Sequence, residues 1–373
     1  MTSSPHPLDS LVIGAGPAGI GTALALDAVD GLAHSIVERS AIGQTFLDWP
    51  REQTFLTPSF TGNGFGATDL NAVHHRTSPA FSLATDYPTG AQYAAYLRGV
   101  VKAFDLPVLR DTDVEDVTPA VDGSYEVSTS SGPIHARTVV WAGGEFSDPT
   151  PPRVAGGALA VHSSERDAWE SRPGEVVVIG GYESGIDIAC HHVERGSCVT
   201  VVDGEAPWDA GHGSDPSFNL APRSRMRLKS ALATGRLTLT EAHAARIKPD
   251  GDGFILLLST GQRLSTPHRP IAATGFGSGL GPVSALFARR MDGWPELTKD
   301  DESTIAPGLF LAGPAMRHGG LKFCFVYKFR QRFAHVANVI GTRLGKDCSA
   351  LEEWREQGML TDDLSCCGVE CAC

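Results

Sequence analysis

Two residue patterns in this chain could do chemistry: a glycine turn that occurs twice, and a run of thiols at the end. In "DSLVIGAGPAGIGTALAL" (9–26), Gly14, Gly16 and Gly19 follow the apolar strand "LVI", with Ala15, Pro17 and Ala18 between them. The first glycine permits a tight turn, the second lets backbone approach a pyrophosphate, and the third lets helix and strand pack closely. The helix N-terminus then faces the phosphates with its unpaired N–H groups. Glu38 closes the next strand, nineteen residues past Gly19, where a carboxylate can accept the ribose hydroxyls of a dinucleotide. Strand, glycines, helix and acid stand in the order that dinucleotide binding requires.

"EVVVIGGYESGIDIAC" (175–190) repeats the plan about 165 residues later. Gly180, Gly181 and Gly185 are present, with Ser184 before the last, but Tyr182 stands where the close-approach glycine belongs. The acid ending the following strand is Asp203, and no arginine occurs in the next dozen residues. A carboxylate there suits the free 2′-hydroxyl of NADH and repels the 2′-phosphate of NADPH. Two readings stay open: a nicotinamide site with a slight preference for NADH, or a retained fold that no longer binds nucleotide.

The chain closes on "SCCGVECAC" (365–373), which holds four of its eight cysteines. Cys366 and Cys367 are vicinal, and Cys371 and Cys373 form a CxC pair. Thiolates exchange with disulfides, and a chain end gives them access. The same closely spaced sulfurs suit zinc or copper(I). Redox relay, metal capture or sensing, and no role at all remain open for this tail. Cys190 and Cys198 read as core residues, and Cys324, in "GGLKFCFVYKFRQRF", as a small buried hydrophobe among aromatics. Lys322, Lys328, Arg330 and Arg332 read as a solvated basic face. His74, His75 and His162 lack metal-ligand spacing, and no metal ligand set is assigned. The chain has neither a GxSxG nor a P-loop, which argues against serine-hydrolase and P-loop phosphoryl chemistry.

The elements that must hold these residues show in the patterning. "AHSIVER" (33–39) and "SCVTVVD" (197–203) supply the second strand of each β-α-β unit, and "YEVSTSSGPIHARTVVWAGG" (125–144) alternates as strands do. "FILLLST" (254–260), "PIAATGF" (270–276) and "GLFLAGP" (308–314) are strand-like, and a long helix is expected over about 321–345. The expected fold class is α/β with two Rossmann-like domains. Residues 1–150 and 270–345 would form the first, 151–269 an inserted second, and 346–373 a C-terminal segment. A net charge of −12 disfavours nucleic acid and anionic membranes as partners. "MTSSPHPLDS" has neither a basic start nor an apolar core, and the longest apolar stretch is too short to span a bilayer. The expectation is a cytoplasmic protein that acts on a small molecule.

"VIGAGPAG", the linker "WAGGEFSDPTPP" (141–152), the second glycine turn and "AATGF" (272–276) together resemble flavoproteins with two dinucleotide-binding domains, over about residues 8–345. In that family the first site holds FAD and the inserted one NAD(P)H. "IGQTF" (42–46) and "YPTGAQYAAYL" (87–97) resemble class B flavin monooxygenases. "DWPREQTFLTPS" (48–59) is similar to bacillithiol-disulfide-reductase-like members of the thioredoxin reductase superfamily. The resemblance implies FAD contacts at Arg39, Gln44, Thr45, Gln53, Val114 and Gly143, and cofactor contacts further on at Gly275, Gly313 and Pro314.

Several positions depart from the family. No CxxC lies between 150 and 300, Ala18 replaces the cysteine of the bacillithiol-reductase-like turn, and Pro314 replaces an aspartate usual in disulfide reductases. "VAGGALAVHSS" (154–164) is looser than the FxGxxxHxxx stretch of class B monooxygenases. Mercuric reductases and large thioredoxin reductases likewise end in redox pairs that reach a flavin site, often the partner subunit's, so the likeness admits a homodimer. The leading expectation is an NAD(P)H-dependent FAD oxidoreductase. It would pass electrons to a disulfide, thiol or thiophilic metal through Cys366, Cys367, Cys371 and Cys373. The alternatives are a monooxygenase that uses O₂, and a flavin-containing metal-binding or redox-sensing protein.

Overall fold

Strand β1 (Leu8–Ile13) is buried on both faces along its last five residues, which explains its unbroken apolar run. Helix α1 (Pro17–Asp27) follows at once, with Gly16 as N-cap and Pro17 in the first turn, where a missing N–H costs nothing. This computed structural model describes residues 7–61, 67–209 and 216–364. The four tail cysteines, Cys366, Cys367, Cys371 and Cys373, lie outside the described residues.

Strand β2 (His34–Val37) pairs in parallel with β1, completing the first β-α-β unit. Helices α2 (Gln44–Asp48), α3 (Pro79–Leu83) and α4 (Gly90–Ala103) then lead to β3 (Val108–Leu109). A reciprocal capping box between Thr89 and Gln92 starts α4. The meander β4 (Val114–Pro119), β5 (Tyr125–Thr129) and β6 (Ile134–Trp141) closes the first half of the sheet. Strand order is β3-β2-β1-β6-β5-β4.

A second sheet occupies the chain between β6 and the last strand of the first. It is parallel throughout, in the order β10-β9-β8-β14-β7. Its strands are β7 (Val161–His162), β8 (Glu175–Ile179), β9 (Cys198–Asp203), β10 (Leu237–Glu241) and β14 (Ile271–Ala272). Helix α5 (Glu183–Glu194) links β8 to β9, and α6 (Pro222–Ala233) precedes β10. An antiparallel sheet of β11 (Ala244–Asp250), β12 (Gly253–Leu258) and β13 (Arg263–Thr266) packs beside it. Strand β15 (Leu309–Leu311) then returns to pair with β6. The cores follow this division: the largest apolar cluster draws on residues from 11–142 and 280–360, two others on 160–273.

Beyond β15 the expected single helix over 321–345 is interrupted. A short hairpin ends at Leu321–Lys322, α7 covers Val326–Phe329, a 3₁₀ turn spans Arg330–Arg332, and α8 runs Phe333–Arg343. The basic face expected here is inside the protein: Lys328, Arg330 and Arg332 are buried. Their charge does not make them surface residues because loop carbonyls need donors that secondary structure does not supply. Arg330 donates to the carbonyls of Thr68, Asp69 and Ala72. Arg332 bridges Asp301 Oδ2 (2.7 Å) and the carbonyls of Lys299 and Thr361 (both 2.6 Å).

Of the cysteines read as core, Cys190 is fully buried, its thiol pushed up to about 12 by that burial. Cys198 instead opens β9 as an exposed residue. Helix α9 (Glu352–Glu356) docks the C-terminal segment through Trp354, whose ring meets His74 and His75 at 4.8 and 5.5 Å. The two histidines are thus structural: His74 is driven down to about 3 by burial beside His75 and Arg76.

Candidate functional site

The first glycine turn has the geometry that its spacing called for. Gly14 adopts φ +106°, a conformation side chains avoid, and an added Cβ would also lie 2.6 Å from the Ala142 carbonyl oxygen. At Gly19 a Cβ would fall 1.8 Å from the Gly14 oxygen, so helix and turn touch backbone to backbone. Gly16 differs, because nothing lies within 4 Å of the place its Cβ would take. The carboxylate of Glu38 accepts from Ala15 N (2.8 Å) and Ser40 N (2.9 Å), which holds it at the mouth of the turn.

A cavity of about 610 Å³ opens beside Gly16 at the C-terminal ends of β1, β2 and β6, where open α/β sheets bind ligands. Glu38, Arg39 and Val114 line one end. Gly14, Gly16, Pro17 and Ala18 line the middle, across from Gly143 and Pro314. Gln44, Thr45 and Gln53 line the far end, among aromatic rings. Trp49, Phe55 and Phe46 pack there with ring centroids 4.9–5.6 Å apart, and Phe146 stacks on Phe276 at 5.3 Å. These residues fit FAD: an open cradle at Gly16 for the pyrophosphate, an acid for the ribose, and a wall of rings for a flat heterocycle. Ala15, Gly19 and Gly313 pack behind the turn. Gly275 sits at the crossing between the sheets, its carbonyl accepting from Thr150 N and close to His162 Nε2 (3.0 Å).

The second glycine turn repeats the first in backbone. Gly180 also has φ +106°, and a Cβ on Gly185 would come within 1.9 Å of the Gly180 oxygen. Asp203 accepts from Gly181 N (2.7 Å) and Glu205 N (2.8 Å), as Glu38 does in the first unit. Tyr182 takes the backbone angles of Gly16, −79° and −168° against −85° and −175°. Its ring reaches out to the Phe218 carbonyl (3.3 Å), and the indole of Trp208 lies against Gly181. Backbone and acid fit a nicotinamide nucleotide; Tyr182 and Trp208 are the side chains it has to pass. Ser184, on the first turn of α5, lines the large cavity; Gly180, Gly181, Gly185 and Asp203 do not.

Three further groups meet at the aromatic end. Cys324 is exposed onto the cavity rather than buried in core. The walls facing it desolvate the thiol and raise it above its ordinary value, against the pull of Arg317. The carboxyl of Glu145 is lifted by desolvation to about 7, again opposed by Arg317, so it changes protonation near neutrality. Arg317 is buried and lies over the Trp294 ring at 3.9 Å. Glu145 carries no sequence signal beyond its place in "WAGGEFSDP", because only the crossover between the sheets brings it to Cys324 and Arg317.

A dinucleotide cavity at the ends of the parallel strands of one mixed sheet, with a second β-α-β unit inserted in the same chain, is the arrangement of an FAD-dependent oxidoreductase. The chain belongs to the pyridine nucleotide-disulphide oxidoreductase family, whose model matches residues 11–313. Bacilliredoxin reductase Bdr of Bacillus subtilis is 22% identical over 339 residues, 90% of this chain and 98% of that protein. A ferredoxin–NADP reductase of Paracidovorax citrulli is 26% identical over 305 residues, 72% of this chain and 80% of its own. Bacillithiol disulfide reductase Bdr of Staphylococcus aureus shares the fold with a TM-score of 0.71 at 19% identity, covering 91% of this chain and 99% of that one. A flavin-containing monooxygenase from Stenotrophomonas maltophilia shares it at 0.66 and 20% identity, with the same coverage. Among the described residues no helix is long and apolar enough to cross a membrane.

Proposed function

We propose that this protein carries electrons from a reduced nicotinamide nucleotide, through FAD, to a small disulfide, with the tail cysteines as carriers. The balanced reaction is NADH, a proton and RSSR giving NAD⁺ and two RSH. The observation that supports it most is the end-to-end similarity to a bacilliredoxin reductase, in a chain whose cavity also receives the thiol of Cys324 and a carboxyl that titrates near neutrality. FAD bound there supplies the two-electron chemistry. The chain holds the pyrophosphate at Gly16 and the ribose at Glu38, walls the far end with rings that exclude water, and keeps a proton available on Glu145. Exchange with the substrate needs a thiolate that reaches it, a role given to the pairs Cys366–Cys367 and Cys371–Cys373.

The test is an anaerobic NADH titration followed by either oxygen or a disulfide. Rapid reoxidation by the disulfide is the expected result; rapid reoxidation by oxygen alone makes the protein a monooxygenase instead. Deleting 366–373 should leave FAD content and NADH-driven flavin reduction nearly unchanged while disulfide turnover collapses. Unchanged turnover in the truncated enzyme removes the tail from the mechanism.

NADH is the proposed donor over NADPH, because Asp203 would face the 2′-position and repel a phosphate. Asp203→Ala should move the ratio of kcat/KM values towards NADPH. A wild type that already prefers NADPH rules out this placement of Asp203.

A further inference from the structure

A second cavity of about 430 Å³ lies in the cleft between α5, α6 and the loop after α2. It joins the large one, since Thr54, Trp169 and Asp187 line both. Helix α5 contributes Asp187, His191 and Glu194, spaced by four and three residues and so on one face; α6 adds Arg223 and Arg227. Arg195 stands at the end of α5, and Glu52 faces it from the first domain's loop.

Some of these charges are paired and some are not. Arg227 bonds both Asp187 and Glu194, which keeps the two helices together. Among the described residues Arg195 has neutral partners, the His191 ring nitrogen Nδ1 (2.9 Å) and the His191 carbonyl (3.5 Å). Arg223 donates to the Phe55 carbonyl (3.3 Å) and lies over the Tyr87 ring at 4.6 Å. Among the described residues neither guanidinium has a carboxylate within ion-pair distance, and Glu52, exposed in the same cleft, has no ion-pair partner. The cleft thus offers unpaired charge of both signs, in a chain whose net charge of −12 otherwise repels anions.

A nicotinamide nucleotide does not account for this cleft. From Ser184 to Glu194 the helix rises about 15 Å, which takes Arg195 away from the glycine turn where the phosphates of a dinucleotide sit. We infer that the cleft is the acceptor's entry site and binds the amino-acid head group of a small disulfide. Arg195 takes the carboxylate, Glu52 takes the ammonium, and the sulfur end points past Trp169 into the large cavity. This rests on the disulfide-reductase reading above and names its substrate class.

Four small disulfides separate the two charges: cystine carries both, 3,3′-dithiodipropionate only carboxylates, cystamine only ammoniums, and 2-hydroxyethyl disulfide neither. With NADH and the full-length holoenzyme, kcat/KM for cystine should exceed that of either singly charged compound by about tenfold, the scale of one charge-assisted hydrogen bond. Arg195→Gln should cost cystine and dithiodipropionate about tenfold and spare cystamine; Glu52→Gln should cost cystine and cystamine about tenfold and spare dithiodipropionate. Arg195→Lys should restore most of the loss. Equal rates with all four disulfides, or a rise in the KM for NADH in place of the acceptor's in Arg195→Gln, overturn the inference and leave the reductase reading intact. If no disulfide turns over, that reading fails, and calorimetric binding of S-methylcysteine to the holoenzyme decides the cleft. Binding weakened about tenfold by both Arg195→Gln and Glu52→Gln upholds it; no binding, or binding indifferent to both changes, ends it.

Discussion

Gly16→Val should yield a folded but colourless protein, while the wild type should be yellow with one FAD per chain. The expectation is sharp because the two outer glycines of the turn behave differently from the middle one. A side chain at Gly14 or Gly19 would strike backbone at 2.6 or 1.8 Å, so substitution there damages the fold itself. A side chain at Gly16 strikes nothing in the protein. What it fills is the open cradle over the N-terminus of α1, and a branched side chain leaves no room for a pyrophosphate. Thermal unfolding of apo Gly16→Val should therefore match that of apo wild type, with FAD absorbance lost and reductase activity lost with it. A colourless wild type that stays apo when FAD is supplied would remove the flavin reading; a yellow Gly16→Val would move the cofactor out of this cavity.

The largest expected loss of stability is at Asp301. This residue is fully buried, adopts φ +61°, and its carboxylate lies between Arg332 Nε (2.7 Å) and His318 Nε2 (2.5 Å). Asp301→Ala leaves the guanidinium of Arg332 buried without its counter-charge, a change that costs about 3–5 kcal/mol. On a domain of this size that lowers the thermal midpoint by roughly 10 °C. Burial alone would raise the carboxyl, but the hydrogen bond from His318 and the charge of Arg332 outweigh it and the net shift is downward. A depressed carboxyl stabilises above its unfolded value and loses that contribution as pH falls through its folded one. The gap between wild type and Asp301→Ala should therefore be full above about pH 4 and narrow below it. Asp301→Asn, which tolerates the left-handed backbone, isolates the charge from the shape. Midpoints within 2 °C of wild type for both variants would show the network to be dispensable.

The same residues mark the boundary of what patterning reveals. The two strand–glycine–helix units, their acids Glu38 and Asp203, and the insertion of one unit into the other were all legible in the chain. Each depends on neighbours a few residues apart, where spacing alone sets the geometry. A buried parallel strand must be an apolar run, and a turn that meets backbone at 1.8 Å must be glycine, so these requirements are written locally.

Other features needed the fold. Arg330 and Arg332 look like a solvated face until the loops at 68–72, 299–301 and 361 supply carbonyls and a carboxylate around them. Cys324 looks like core until the interruption of the helix after Leu321 turns it towards the cavity. Glu145 becomes a titrating group near neutrality only because the crossover encloses it, in spite of Arg317. In the second unit the sequence carried the glycine turn, whereas the approach to it is controlled by Trp208 and by the ring of Tyr182. Dinucleotide binding and fold class were thus determined by the sequence alone, because the motif carries its own geometry. The desolvated acid, the cavity-facing thiol and the charged cleft beside α5 were decided only by tertiary structure. Desolvation and charge pairing depend on which distant segments come to lie within a few ångströms of each group.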